Sequence, residues 1–204
     1  MTTPRDLLII AMDMESSRPV ERGDLSLALA AAETIDLLGG DDIALTEGRI
    51  VPGLERAMAD LLLDEAVSSL TRTEPYESVG DWLWRRGRGL SETYLTALEA
   101  EGLLTRRRRR HWLLVRDDGF ELVDSPARRV ASSRWAADEP VLAALGEAVG
   151  IRDQQAGESP GTAGDGVEAV LDALNDALSE LSAERQRRAR RRQDAAADNV
   201  QRGY

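Results

Sequence analysis

Apolar positions along this chain recur mostly with the three-to-four-residue spacing of a helix, and Gly and Pro mark where each run stops. Thr2-Thr3-Pro4-Arg5-Asp6 supplies a capping residue, a proline suited to a first turn and an early acid, which predicts a short buried helix through Met12. After a polar loop with Ser16-Ser17-Arg18-Pro19, the segment Leu25 to Leu38 is apolar nearly all round and stops at Gly39-Gly40, the pattern of a central core helix. Ile43 to Pro52 places a Glu-Gly turn between two apolar pairs and predicts a small hairpin closed by Pro52-Gly53. Helical spacing returns from Leu61 to Leu70. Glu74-Pro75-Tyr76 breaks it, and Ser78-Val-Gly-Asp81 is a capping pattern that opens a helix over Trp82 to Arg86. Residues two apart on a helix point in different directions, so Trp82 is assigned to the core and Trp84 to a more exposed or covering position.

Leu90 to Glu101 carries Leu90, Tyr94, Leu95 and Leu98 on one stripe and meets its stop signal at Gly102. Directly behind it, Gly102-Leu-Leu-Thr and His111-Trp-Leu-Leu-Val flank five consecutive arginines: Arg106, Arg107, Arg108, Arg109 and Arg110. Two short apolar runs around a tight polar segment predict a projecting β-hairpin with the arginines at its tip and Trp112, Leu114 and Val115 pinning its base. Ser125-Pro126 starts a short helix through Trp135, and Pro140 starts another to Gly150. The stretch about 152–166 is rich in Gly, Ser, Pro and acids and predicts a flexible internal loop. A last helix runs from Val167 to about Arg192, apolar on the face of Val170, Leu171, Leu174, Leu178 and Leu181, then Arg-rich from Arg185. Arginine near a helix C-terminus complements the macrodipole, the ordinary explanation for that basic end, with assistance to an anion site as the alternative.

The fold class expected is therefore mainly α: a compact helical domain over residues 1–195 with one projecting hairpin and a second small one, and a disordered tail at 196–204. Its 204 residues, 42% hydrophobic, suffice to bury a core. A net charge of -11 and a pI near 4.7 argue against general coating of nucleic acid, which makes any anion site local. With no Cys there is neither a disulfide frame nor a thiolate metal cage, and neither metal nor cofactor is expected. Leu7 to Met12 is too short to span a bilayer and lacks the flanks of a secretory signal, so the expected location is cytoplasmic. All 26 strong bases are Arg, which suggests a GC-rich bacterial genome.

A charged tip calls for an anionic partner. Guanidinium forks suit phosphate because they form bidentate, charge-assisted hydrogen bonds and stay charged when partly desolvated. The bland alternative is a solvated turn with a basic bias.

The order of Leu61-Leu-Leu-Asp-Glu-Ala66, the Glu74-Pro75 break, a Trp-bearing helix, Leu98-Glu-Ala-Glu-Gly-Leu-Leu-Thr105 and Trp112-Leu-Leu-Val115 resembles the Golgi phosphoprotein 3 family over most of residues 5 to 195. That resemblance implies a non-enzymatic helical domain with a projecting hairpin used for homo-oligomerisation and membrane contact. It also implies a reader of phosphatidylinositol 4-phosphate that sorts protein cargo at the Golgi. The family's headgroup pocket uses a Trp and an Arg around the start of the core helix and two basic residues before the hairpin helix. By that resemblance Arg88 and Ser91 fall at the basic pair, while Glu21 and Ala30 fall where the Trp and core-helix Arg should be. Arg85 and Arg86 are candidates to compensate, with Arg85 and Arg88 sharing a face if their helix persists. The site so expected is Arg85, Arg86 and Arg88 for the headgroup, with Arg106 to Arg110 and Trp112 as a membrane or oligomer hairpin. A Golgi location is implied by the resemblance alone.

Two other readings stand beside it. A helix followed by a basic hairpin also resembles the recognition helix and wing of a DNA binder, but Glu92, Glu99 and Glu101 would meet repulsion in a groove. The other is an oligomeric interaction module built on Trp84 and the hairpin. Catalysis has little to work with, because His111 has no nucleophile nearby in sequence, and Asp64, Glu65 and Asp81 sit where solvation or capping is the usual role.

Overall fold

The computed structural model describes residues 2–14, 20–54, 56–107, 119–151 and 164–202. At its centre, helix α2 (Arg22–Gly39) is covered on nearly every side, because Leu25 to Ile35 is a run of buried residues that no single partner could shield. Helix α1 (Thr3–Asp13) lies against it, its first-turn Thr3 N–H donating to Asp36 Oδ2 at 2.7 Å. The hairpin of β1 (Ile43–Thr46) and β2 (Arg49–Pro52) turns at Glu47 and Gly48, both with positive φ, as a two-residue turn matched to strand twist requires.

Helices α3 (Leu61–Ser68), α4 (Val79–Arg86) and α5 (Leu90–Ala100) follow. The strands β3 (Leu104–Arg107) and β4 (Gly119–Leu122) come next, then α6 (Pro126–Ala136), α7 (Pro140–Ala148) and the long α8 (Asp165–Arg202). One continuous apolar cluster, from Leu7 in α1 to Ala177 in α8, joins the helices, and Leu104 ties the second hairpin to it. The mainly helical fold with two small antiparallel hairpins is thus the one the periodicity predicts.

Three local expectations change. First, the second hairpin is wider than expected: Leu104 pairs with Leu122 and Arg107 with Gly119, so the return strand is Gly119–Leu122 and not the run at Trp112. Phe120-Glu-Leu122 alternates apolar and polar, as a strand with one covered face must, whereas Trp112-Leu-Leu-Val115 is continuously apolar. Leu104, Phe120 and Leu122 therefore pin the base, and Arg106 and Arg107 are strand residues, not tip residues. Arg108, Arg109, Arg110, His111 and Trp112 lie outside the described residues.

Second, α4 stops at Arg86, with Gly87 as its cap, so Arg85 and Arg88 do not share a helix face. Third, α8 continues to Arg202, past the expected end near Arg192 and through residues 196–202 of the expected tail. Gln, Arg and Ala are good helix formers, so the helix persists after its apolar stripe ends. Of the expected loop, 152–163 lies outside the described residues.

Candidate functional site

Gly87-Arg88-Gly89 joins α4 to α5, and each glycine has a reason to be there. A Cβ on Gly87 would sit 2.6 Å from the Leu83 carbonyl oxygen and 3.3 Å from both Ser26 O and Leu27, so the turn lies directly on α2. Gly89 takes the left-handed conformation (φ +69°) that starts α5. Between them Arg88 is exposed, and among the described residues its guanidinium makes no ion pair or hydrogen bond.

Beside this turn is an open cavity of about 350 Å³. Leu27 of α2, Trp84 of α4 and Leu181 of α8 give it apolar walls, while Arg22 and Arg88 put two guanidinium groups at its margin. Its polar floor is a pair of buried serines: Ser26 and Ser91 hydroxyls lie 2.9 Å apart, and Ser91 N–H donates to Ser26 Oγ at 3.1 Å. These bonds hold α2 against α5. Ser91 is 2% exposed, so a second cation at that position would be inside the packing rather than at the mouth. Arg22 pairs with Glu92 at 2.9 Å, both side chains exposed. The rim is therefore one free guanidinium and one held by a carboxylate.

Of the three headgroup residues expected from the sequence, only Arg88 lines this cavity. Arg85 donates to Glu77 at 2.7 and 2.8 Å and to the Ser69 carbonyl, and lies over the Trp82 ring. Its guanidinium pKa is held up first by the Glu77 hydrogen bonds. Arg86 points inward to Glu33, at 2.8 and 3.0 Å, and also reaches Glu65 and the Leu62 carbonyl. Burial works to lower its pKa, and the bonds and charges of Glu33 and Glu65 outweigh that and raise it.

Glu21 stands at the N-cap position of α2 without a side-chain cap bond, and Ala30 is fully buried within that helix. The sequence reading passed over Arg22, Trp84 and Leu181 as pocket residues. Arg22 is the only base in the first turn of the core helix, a legible signal, whereas the Leu181 contact depends on a segment some 160 residues downstream folding back.

The hairpin base lies at the other end of α5, a helix of 11 residues and so about 16 Å long. There Arg106 pairs with Glu99 at 3.0 Å and stands over the Phe120 ring, its guanidinium carbon 5.4 Å from the centroid. Arg107 is opposite Gly119 in the ladder. The acids weighed for catalysis have local structural partners: Asp64 accepts from Met58 N–H, Glu65 from Arg86, and Asp81 from the Ser78 hydroxyl. Among the described residues, no group of three or more His, Cys, Asp or Glu side chains converges as a metal site would require. Nor, within that set, is any helix long and apolar enough to cross a membrane.

No curated protein matches the chain. The family described as Golgi phosphoprotein 3 (GPP34) matches it over residues 4–202, from α1 to the end of α8. With the helical architecture and the hairpin following α5 already in place, that match across nearly the whole length shows that the chain belongs to the Golgi phosphoprotein 3 family.

Proposed function

We propose that this protein is a non-catalytic, peripheral membrane binder that takes the phosphate of an anionic lipid headgroup between Arg88 and Arg22. Phosphatidylinositol 4-phosphate is the headgroup that family membership suggests. The observation that carries the reading is Arg88: an exposed guanidinium, without a partner among the described residues, on a Gly-Arg-Gly turn at the margin of an apolar-walled cavity. A fork of donors fits phosphate oxygens in pairs, and apolar walls suit the part of a headgroup nearest the acyl chains. Arg22 joins by exchanging Glu92 for phosphate, at small cost because an exposed ion pair contributes only about 0–1 kcal/mol. The arginine-rich hairpin, Arg106 to Arg110, adds contacts to the bilayer surface and is the surface assigned to homo-oligomer formation. Cargo capture at the cytoplasmic face of a membrane is the role that follows.

Sedimentation with neutral vesicles, vesicles containing phosphatidylserine, and vesicles containing phosphatidylinositol 4-phosphate, each at low and high salt, tests this reading. Preference for the phosphoinositide is the expected result, and absence of binding to every vesicle overturns it. Binding that is generic and salt-sensitive moves the work from the pocket to the basic surfaces outside it. Arg88→Ser is expected to abolish the preference without lowering thermal stability, since the side chain is exposed and has no partner among the described residues. Glu92→Gln frees Arg22 and removes a repelling charge, and is expected to tighten binding by up to about fivefold, the equivalent of about 1 kcal/mol. Weaker binding by Glu92→Gln would remove Arg22 from the site.

A further inference from the structure

The arginines of α8 do not serve the helix end, because the helix runs on to Arg202, ten residues past Arg192. The macrodipole acts within about the last turn, so it gives no account of a cluster placed there. Packing gives none either: between Ala177, which is buried, and Ala195 no residue of α8 is buried, and every residue from Gln186 to Ala195 is exposed. Five arginines fall in that stretch: Arg187, Arg188, Arg190, Arg191 and Arg192. Arg187 and Arg188 share Glu184, and the other three have no partner among the described residues.

The direction of the helix fixes where this charge is presented. Gly166, near the start of α8, is close to Leu38 near the end of α2, whereas Leu181 and Arg185 lie against Gly23, and Arg185 pairs with Asp24 at 2.7 Å. The two helices are therefore antiparallel. From Gln186 onward α8 passes beyond the first turn of α2, the end of the molecule that carries Arg22 and the pocket. Residues 186–202 form an overhang of about 25 Å at helical rise. Positions i, i+4, i+7 and i+11 share a helix face, so the face that turns Leu181 into the pocket continues as Arg185, Arg188 and Arg192.

We propose that the α8 overhang is a basic arm that lies on an anionic bilayer beside the pocket, holding the membrane electrostatically while the pocket selects a headgroup. The choice of partner rests on the membrane reading of the pocket. It is favoured over nucleic acid by the continuity of the arm with an apolar-walled site, which suits a lipid headgroup. Clusters of four to eight basic residues on a helix are suited to anionic lipid. Because Ala189 is the only apolar residue between Gln186 and Gln193, this basic stretch of the arm rests on headgroups without inserting, and its contribution disappears at high salt.

The test uses the full chain with Arg187, Arg188, Arg190, Arg191 and Arg192 each replaced by Gln, which keeps helix propensity while removing charge. Circular dichroism checks that the helix is retained. Vesicles of phosphatidylcholine with phosphatidylserine, free of phosphoinositide, report the arm. Each arginine near an anionic surface is worth about fivefold, so at least a hundredfold loss at low salt is expected, with little difference from the unaltered protein at high salt. The pairs Arg188→Gln with Arg192→Gln and Arg187→Gln with Arg190→Gln remove equal charge from different faces, and the first is expected to cost more.

Arg88→Ser keeps the arm, so it is expected to retain phosphatidylserine binding while losing phosphoinositide preference, which separates failure of the pocket from failure of the arm. Unchanged phosphatidylserine binding by the five-Gln variant overturns the arm. Equal losses from the two pairs overturn the pocket-side stripe, and tighter arm-dependent binding to duplex DNA than to vesicles overturns the membrane as its partner.

Discussion

Replacing Arg86 with Met is expected to destabilise the fold by about 3–5 kcal/mol, the cost of leaving a buried charge without its partner. Glu33 is 0% exposed and Arg86 8%, and their two hydrogen bonds, with Tyr94 Oη donating to Glu33 at 2.9 Å, join α2, α4 and α5. The same burial, with the Glu33 charge behind it, pushes the Tyr94 phenol well above its ordinary pKa, so Tyr94 remains a donor at every working pH. Such a loss lowers the melting temperature by roughly 10 °C in a chain of this size.

The pH dependence identifies the cause. Burial raises the Glu33 carboxyl above its ordinary value, and Arg86 only partly pulls it back. A carboxyl whose pKa is raised on folding binds its proton more tightly in the native state, so its contribution is full below the unfolded pKa and is lost as pH rises through the folded one. Without Arg86 the folded value is higher still. The deficit of the variant is therefore largest at neutral pH and shrinks as pH falls toward the ordinary Glu range, while Asp6 and Asp36, also raised chiefly by burial, cancel in the difference from the unaltered protein. Urea unfolding at pH 5 and pH 7.5 measures this. An equal deficit at both values would mean that the lost stability is packing rather than the Glu33 charge.

The second large effect is at Trp82. Its ring is fully buried and its Nε1–H donates to Thr34 Oγ1 at 3.0 Å, so Trp82→Ala opens a cavity and removes a buried donor together, at about 3–5 kcal/mol. The ring also supports Arg85, whose guanidinium carbon lies 4.9 Å from its centroid. Trp84→Ala, at the half-buried cavity wall, is expected to cost clearly less stability and to weaken lipid binding instead. Parallel denaturation and vesicle binding on the two variants separate these outcomes, and a Trp84 loss as large as that at Trp82 would place Trp84 in the core. Arg86 and Trp82 share α4 and both contact α2, so their combined effect should not be additive.

Local chemistry made much of this fold legible. Gly39, Glu47-Gly48, Gly102, Pro126 and Pro140 each end or start the element assigned to them, because φ preference and a missing N–H act within a few residues. Ser78 caps α4 through the Asp81 N–H, and the two tryptophans of α4 divide between core and cavity wall as helical spacing requires. The same locality explains the errors at the hairpin. Two apolar runs flank the arginines, and distance along the chain favours the nearer one as return strand. The observed pairing is set instead by which residues can cover Leu104, a matter of alternation and of the core already in place.

The candidate site was only partly legible for the same reason. Sequence marked Arg88 through the family resemblance, and it marked two arginine clusters. Arg85 and Arg86 look like Arg88 in one dimension, and only packing distinguishes them, since their carboxylate partners come from another loop and another helix. The sequence by itself determined the helices, their ends apart from that of α8, the first hairpin and the family, because those follow from periodicity, caps and motif order. Tertiary structure alone decided which arginines are neutralised inside the fold and which remain free at its surface, because a charge is cancelled by whatever lies a few ångströms away in space, and for Arg86 that neighbour is 53 residues away in the chain.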